Sequence, residues 1–184
     1  MSSSLFLSQR SLYEDDYSCI LRNPQNEFNY GLHYHDFYEC VLYLGNAGIF
    51  RIEDQEYLIK RGDIVLIDMF KPHTLTYNKN YFYERFSLSI NLSLLISFST
   101  SRSNLLDVFH NCSDRLPVYH LSQEQLQKYL TLLDKYRKIK LENGKDILEK
   151  ALIHQLLAYI YSDGYPAATL MKKKPSTPRP SPPS

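Results

Sequence analysis

Two hydrophobic periods divide the chain. Up to about residue 91, apolar and polar positions alternate, aromatic and β-branched residues are frequent, and Gly31, Gly45, Gly48 and Gly62 fall in turn-like places. Short antiparallel strands at close spacing produce that pattern, in a sandwich or a barrel. It predicts strands over 17–22, 32–44, 49–53, 56–60, 63–67, 73–77 and 81–90. Glu53-Asp54-Gln55-Glu56 is a tight connection, and Arg61-Gly62-Asp63 is a further turn. In Phe86-Ser87-Leu88-Ser89-Ile90, alternation predicts the three apolar side chains facing inward and both serines outward.

After residue 92 the period becomes helical. Ser122 and Gln125 form a capping box, and Leu126, Tyr129, Leu130, Leu133 and Tyr136 follow on one stripe. Lys135, Arg137, Lys138 and Lys140 complement the helix dipole before Asn143-Gly144 stops the helix. A second helix is predicted from Asp146, with Glu149 as reciprocal cap, to about Tyr161. Leu148, Ala151, Leu152, Leu156 and Tyr159 share one of its faces, while Ile153, Leu157 and Ile160 form another. Two apolar faces exceed what one sheet covers, so the helix pair is expected to bury one against a second subunit. Five prolines in the last 13 residues predict an extended, solvated tail.

A chain of 184 residues, 43% hydrophobic and 22% charged, has the means for one packed domain. Net charge is +1, but the last 13 residues hold four basic side chains and no acidic one, which leaves 17 basic against 20 acidic elsewhere. Nucleic-acid contact by the body of the chain is therefore not expected. Cys19, Cys40 and Cys112 are odd in number and far apart, without a metal knuckle, which argues against a disulfide framework and for a reducing compartment. The start has no signal-peptide pattern, and the longest uncharged run, 86–101, is too short and too polar to cross a membrane. A cytoplasmic location is expected.

The candidate chemistry lies in Gly31-Leu32-His33-Tyr34-His35-Asp36-Phe37-Tyr38-Glu39. Residues two apart on a strand share a face, so His33, His35, Phe37, Glu39, Val41 and Tyr43 point one way, and Cys40 points away from them. His73 follows the bend at Lys71-Pro72, and a hairpin-built barrel would bring it opposite the first two histidines. Glu84 is expected to reach inward by alternation with Phe86. The predicted ligand-binding set is therefore His33, His35, Phe37, Glu39, Tyr43, His73 and Glu84. No cofactor is required, but His33, His35, Glu39 and His73 are of the types that hold a divalent first-row metal. His110, His120 and His154 are read as surface or interface residues. No catalytic residues are assigned, because no nucleophile motif or phosphate loop is present.

His33-x-His35-x3-Glu39 followed by Gly45 resembles the first cupin motif, and Gly62-Asp63-Ile64-Val65-Leu66-Ile67 through Pro72-His73 resembles the second. Asp68 and Phe70 stand where the second motif usually has Pro and Gly, Tyr77 where it has Asn, and Glu27 where the first has Gly. With Tyr83-Glu84-Arg85, the whole string is most similar to the N-terminal sensory cupin of AraC-type transcription regulators. That resemblance covers roughly 15–162. It implies an α+β fold: a cupin-like antiparallel β-barrel (a double-stranded β-helix) followed by a two-helix dimerisation hairpin. The implied divisions are an arm and barrel at 1–92, a connecting segment at 93–121, the hairpin at 122–162 and a disordered tail at 163–184. The implied function is sensing of a small-molecule effector by a homodimer, not enzymatic catalysis. DNA would be reached only through a helix-turn-helix domain, which the 23 residues after Tyr161 are too few to form. Two alternatives stand beside this reading. One is a small metal-dependent cupin enzyme of dioxygenase or isomerase type, and the other is an interaction module that pairs with intact regulators.

Overall fold

Alternation, turn residues and a capped helical stripe yield ten strands and four helices in a computed structural model, which describes residues 8–10, 12, 15–22, 31–78, 84–110 and 117–164. In chain order the strands are β1 (Ser8–Arg10), β2 (Tyr17–Arg22), β3 (His33–His35), β4 (Tyr38–Tyr43), β5 (Gly48–Ile52), β6 (Gln55–Leu58), β7 (Asp63–Ile67), β8 (His73–Tyr77) and β9 (Arg85–Ile90). Helices α1 (Leu92–Phe98) and α2 (Asp107–His110) follow, then β10 (Val118–His120), α3 (Gln123–Arg137) and α4 (Lys145–Gly164). Glu27, the strand residues 81–83, Cys112 and the tail from residue 165 lie outside the described residues.

The strands form two five-stranded sheets, ordered β1-β3-β8-β5-β6 and β10-β7-β4-β9-β2. Pairing is antiparallel except for β1, which runs parallel to β3. The expected closed barrel is instead an open sandwich of two facing sheets. The stretch 32–44, expected as one strand, is two strands, because a bend at Asp36-Phe37 carries the chain from the first sheet to the second. Side-chain parity survives the bend. Val41 and Tyr43 point between the sheets with Phe50, Ile52, Ile67 and Leu75, whereas Tyr38, Cys40 and Leu42 point to the far side of the second sheet.

That far side is covered by the helices, so β4 and β9 are buried on both faces. Phe86, Leu88 and Ile90 share a core with Leu126, Tyr129, Leu133, Ile153 and Leu157 of α3 and α4. The expected inward face of β9 is thus the helix-facing one, and its serines are the residues that look between the sheets. Ser122 and Gln125 form the capping box as predicted, with Gln125 N–H donating to Ser122 Oγ at 3.2 Å and Ser122 N–H donating to Gln125 Oε1 at 2.8 Å. Helix α4 begins one residue earlier than expected, and Glu149 is not its cap but accepts a hydrogen bond from Tyr17 of β2. Ile153, Leu156, Leu157 and Ile160 are its buried residues, each worth roughly 1.5–3 kcal/mol of burial. Ile147 and Leu148 remain exposed. No described helix is long and apolar enough to cross a membrane.

Candidate functional site

Three imidazoles are held the same way. Nδ1 of His33 lies 2.9 Å from the carbonyl oxygen of Gly31, that of His35 lies 2.7 Å from Phe37 O, and that of His73 lies 2.8 Å from Lys71 O. A carbonyl only accepts, so each Nδ1 carries the proton, and in the neutral ring each Nε2 is left with a lone pair. This is the tautomer that a ligating or hydrogen-bond-accepting histidine requires.

The fold brings the rings together from separate elements. His33 and His73 are cross-strand partners on β3 and β8, with ring centroids 4.2 Å apart. The loop before His73 is pinned to β3 by Phe70 N–H, which donates to His35 O at 2.8 Å. Phe70 occupies the left-handed region at φ 62°, at the position where the resembled motif carries Gly. Glu39 comes across from β4 of the other sheet. Its Oε2 lies 3.3 Å from Nε2 of His35 and 3.7 Å from Nε2 of His73. Burial opposes ionisation of Glu39, but its contacts with the side chains of His35 and His73 hold its carboxyl well below the ordinary value of 4.5.

Of the four residues expected to converge as metal ligands, His35, Glu39 and His73 place their ligand atoms within 4.8 Å of one another. His33 stands against the ring of His73 but falls outside that group. Nε2 of His73 is buried and makes no hydrogen bond in the described structure. Two imidazole nitrogens of the correct tautomer and one carboxylate suit a divalent first-row ion.

These groups open into a cavity of about 220 Å3 between the sheets. His33, His35, His73, Phe50 and Leu75 of the first sheet line one wall. Glu39, Val41, Arg85, Ser87 and Ser89 of the second sheet line the other, with Ser18 and Ile20 from β2. Leu12, between β1 and β2, also lines it. Phe37 lines the cavity and stacks on His35 at a centroid distance of 4.0 Å.

The AraC-like ligand binding domain family matches residues 17–157, most of the chain, including every described strand that lines this cavity; Leu12 precedes the matched residues. The chain belongs to that family. An AraC-like domain of this kind is a regulatory ligand-binding domain, not an enzyme. Among solved structures, a lysine-to-alanine variant of ToxT from Vibrio cholerae is similar at 12% identity and TM-score 0.50, over 82% of this chain and 57% of that one. A second ToxT structure aligns at 11% identity and TM-score 0.44, over 81% of this chain and 57% of that one. The likeness to the first is one of fold, and the chain spans just over half the length of the ToxT chains. No curated protein matches the sequence.

Two residues expected at the site of this AraC-like domain lie elsewhere. Glu84 has the parity of Phe86, so it faces the helices and pairs with Arg137 of α3 at 3.0 Å. Tyr43 is fully buried between the sheets but does not line the cavity. Its phenol sits beside Arg85, and burial pushes its pKa up. Arg85, Ser18, Ser87 and Ser89 were not expected there. The signal for them was the apolar content of the two helices, which needs a sheet face of its own and takes the phenylalanine-leucine-isoleucine face of β9. The remaining histidines have local partners. His110 Nε2 lies 2.7 Å from the hydroxyl of Tyr38, His120 donates from Nδ1 to Asp63 at 2.7 Å, and His154 stacks on Phe98.

Proposed function

We propose that this domain senses a small effector in the cavity between its sheets, and that it does so as a homodimer paired through the exposed face of α4. The observation that carries the reading is the meeting of His35, Glu39 and His73 in one cavity, with apolar walls around polar groups. Strand β1 lies edge to edge with the strand that bears His33 and His35, and Leu12 after it lines the cavity. An occupant of the cavity would therefore touch the N-terminal arm. Regulatory output follows as a population shift: the effector favours the arrangement of arm, sheets and helices that it binds more tightly.

The test is a thermal-shift screen of metabolites on the full chain, since a ligand of the folded state raises apparent stability. Hits that lose their effect in His73→Ala support the reading. A broad screen without a single hit, or hits indifferent to that change, would overturn it.

A divalent metal is the second reading, favoured by the bare Nε2 of His73. His35, Glu39 and His73 would hold the ion, and bound there it would act as a Lewis acid toward an effector oxygen. The protein's own share is fixed by the carbonyls of Phe37 and Lys71, which orient the two imidazoles.

A further inference from the structure

We infer that the proline-rich segment 172–183 of this chain docks in the groove between β6 and β10, at the open side of the sandwich. These are end strands, one of each sheet, and no described strand pairs with the outer edge of either. Between them runs a groove of about 440 Å3, separate from the cavity that holds His35, Glu39 and His73. Tyr57 and Val118 pack against the core between the sheets and form part of its lining, with Leu58 and Tyr119 beside them. Leu58 keeps 59% of its surface exposed on an unpaired edge. Natural sheets cover or charge such a position.

The lining selects the kind of occupant. A free edge ordinarily takes a strand through ladder hydrogen bonds, but prolines at 175, 178, 180, 182 and 183 carry no N–H to donate. A segment of that composition is already extended as a polyproline helix, and it enters grooves lined by aromatic rings at little cost in ordering. Two tyrosines, a leucine and a valine meet that requirement.

Charge agrees. The segment holds Lys172, Lys173, Lys174 and Arg179 and no acidic residue. On the groove side, Asp63 is engaged by His120 Nδ1 and by the amide of Lys60, each at 2.7 Å, and Glu53 by Lys71 at 2.8 Å. Glu56 in the groove and Asp54 in the turn before it are exposed and have no ion pair among the described residues. Lys60 also lines the groove and repels a cation at its own end, which places the lysine run beside Glu56.

The segment starts close enough. Lys128 of α3 holds Asp163, near the end of α4, at 2.8 Å. Lys128 is only roughly 9 Å along the helix from the cap Ser122, which follows β10 by two positions. Tyr129 lies beside both Asp163 and Tyr119 of β10. Lys172 is eight positions beyond Gly164, a reach of roughly 26 Å in extended chain. The groove is within it.

The experiment compares the amide correlation spectrum of the nitrogen-15-labelled full chain with that of the variant Pro175→Ala, Pro178→Ala, Pro180→Ala. The resonances of 56–58 and 118–120 should move, and those of 146–156 should not. A second measurement follows release of the segment by trypsin, which cuts after Lys172 and Lys173. Asp54→Lys with Glu56→Lys should speed that cut about fivefold at low salt, because exposed ion pairs are lost and cleavage reads the undocked population. Added salt should bring the parent toward the same rate. Resonances that stay in place in the proline variant, or a cleavage rate indifferent to the charge reversal, overturn the assignment. So does a return of the groove resonances to the variant's positions on about tenfold dilution, which would make a second copy's segment the occupant. Neither measurement involves His35, Glu39 or His73, so the sensor reading is left to its own screen.

Discussion

The hydroxyl of Tyr17 donates a hydrogen bond of 2.8 Å to Oε2 of Glu149, tying β2 to α4 across 132 positions of the chain. One residue earlier, Asp16 pairs with Lys150 at 2.9 Å. Tyr17 and Cys19 pack against the helix-side core, while Ser18 and Ile20 on the same strand line the cavity. Strand β2 is therefore a wall with the cavity on one face and the helix pair on the other, and any shift of the strand is felt on both.

The Tyr17 bond packs against the helix-side core, whereas Lys150 and Asp16, also part-buried, keep 36% and 46% of their side-chain surface in solvent. Tyr17→Phe should cost about 1 kcal/mol of unfolding free energy in urea. Lys150→Ala should cost less, under about 1 kcal/mol, because solvent and salt screen an exposed pair. Equal losses for the two variants would show that the tyrosine contact does not anchor the helix.

Glu39 sets part of the acid limit of the fold. Its folded pKa is depressed relative to the unfolded value of about 4.3, so its ionised form contributes stability in full above that pH. The contribution disappears as pH falls through the depressed folded value. In Glu39→Gln the contribution is absent throughout. The difference in unfolding free energy between the two proteins should therefore narrow from about pH 5 to pH 3. A gap that stays constant over this range would mean that the imidazoles do not stabilise the carboxylate.

Strand parity made much of the site legible. Positions 33, 35, 37 and 39 share a face in any extended chain, and Lys71-Pro72 before His73 marks the bend that returns the third ring. The sequence does not mark the bend at Asp36-Phe37, because parity is unchanged when a strand crosses between facing sheets. Nor does alternation in 86–90 say which side of the sheet is the cavity: once helices cover the other side, both faces are interior, and the serine face lines the cavity. Strands β1 and β10 are three residues each and depend on pairing with β3 and β7, a tertiary effect with no local pattern. Glu149 has the spacing of a cap, but the hydroxyl of Tyr17 takes its carboxylate.

Gly48 holds the strand that supports His73. It has φ 153°, and a Cβ there would lie 2.1 Å from the carbonyl oxygen of Thr76 and 2.9 Å from the amide nitrogen of Asn78. Both contacts are backbone, so β5 would have to separate from β8. Gly48→Ala should cost roughly 2–4 kcal/mol in chemical denaturation. Gly31→Ala, where nothing lies within 4 Å, should stay within about 0.5 kcal/mol. Similar losses at the two positions would contradict the close approach of β5 and β8.

Metal binding has its own signature. Ni2+ or Zn2+ added to chelator-treated protein should raise the melting temperature, with about 2.7 kcal/mol of stabilisation at one hundred times the dissociation constant. His35→Ala and His73→Ala should each abolish the rise, and His33→Ala should retain most of it, because only the first two belong to the group within 4.8 Å. An equal effect of all three substitutions would place His33 among the ligands, and no rise in the parent protein would remove the metal reading.

Self-association is best probed away from the core of the single chain. Leu156 is only 3% exposed and packs with α3 and β9, so a charge there unfolds the domain and reports nothing about dimers. Ile147 is 71% exposed and Leu148 39%, at the start of α4, with Leu141 at 51% just before them. Three large apolar side chains in one short stretch are what a second copy would cover. The parent protein should scatter light as a dimer, and the double variant Ile147→Glu, Leu148→Glu as a monomer with an unchanged far-ultraviolet circular dichroism spectrum. A parent protein that is monomeric at micromolar concentration, or a double variant that still dimerises, would detach the helix pair from any role in pairing and leave sensing to the sheets and the arm alone.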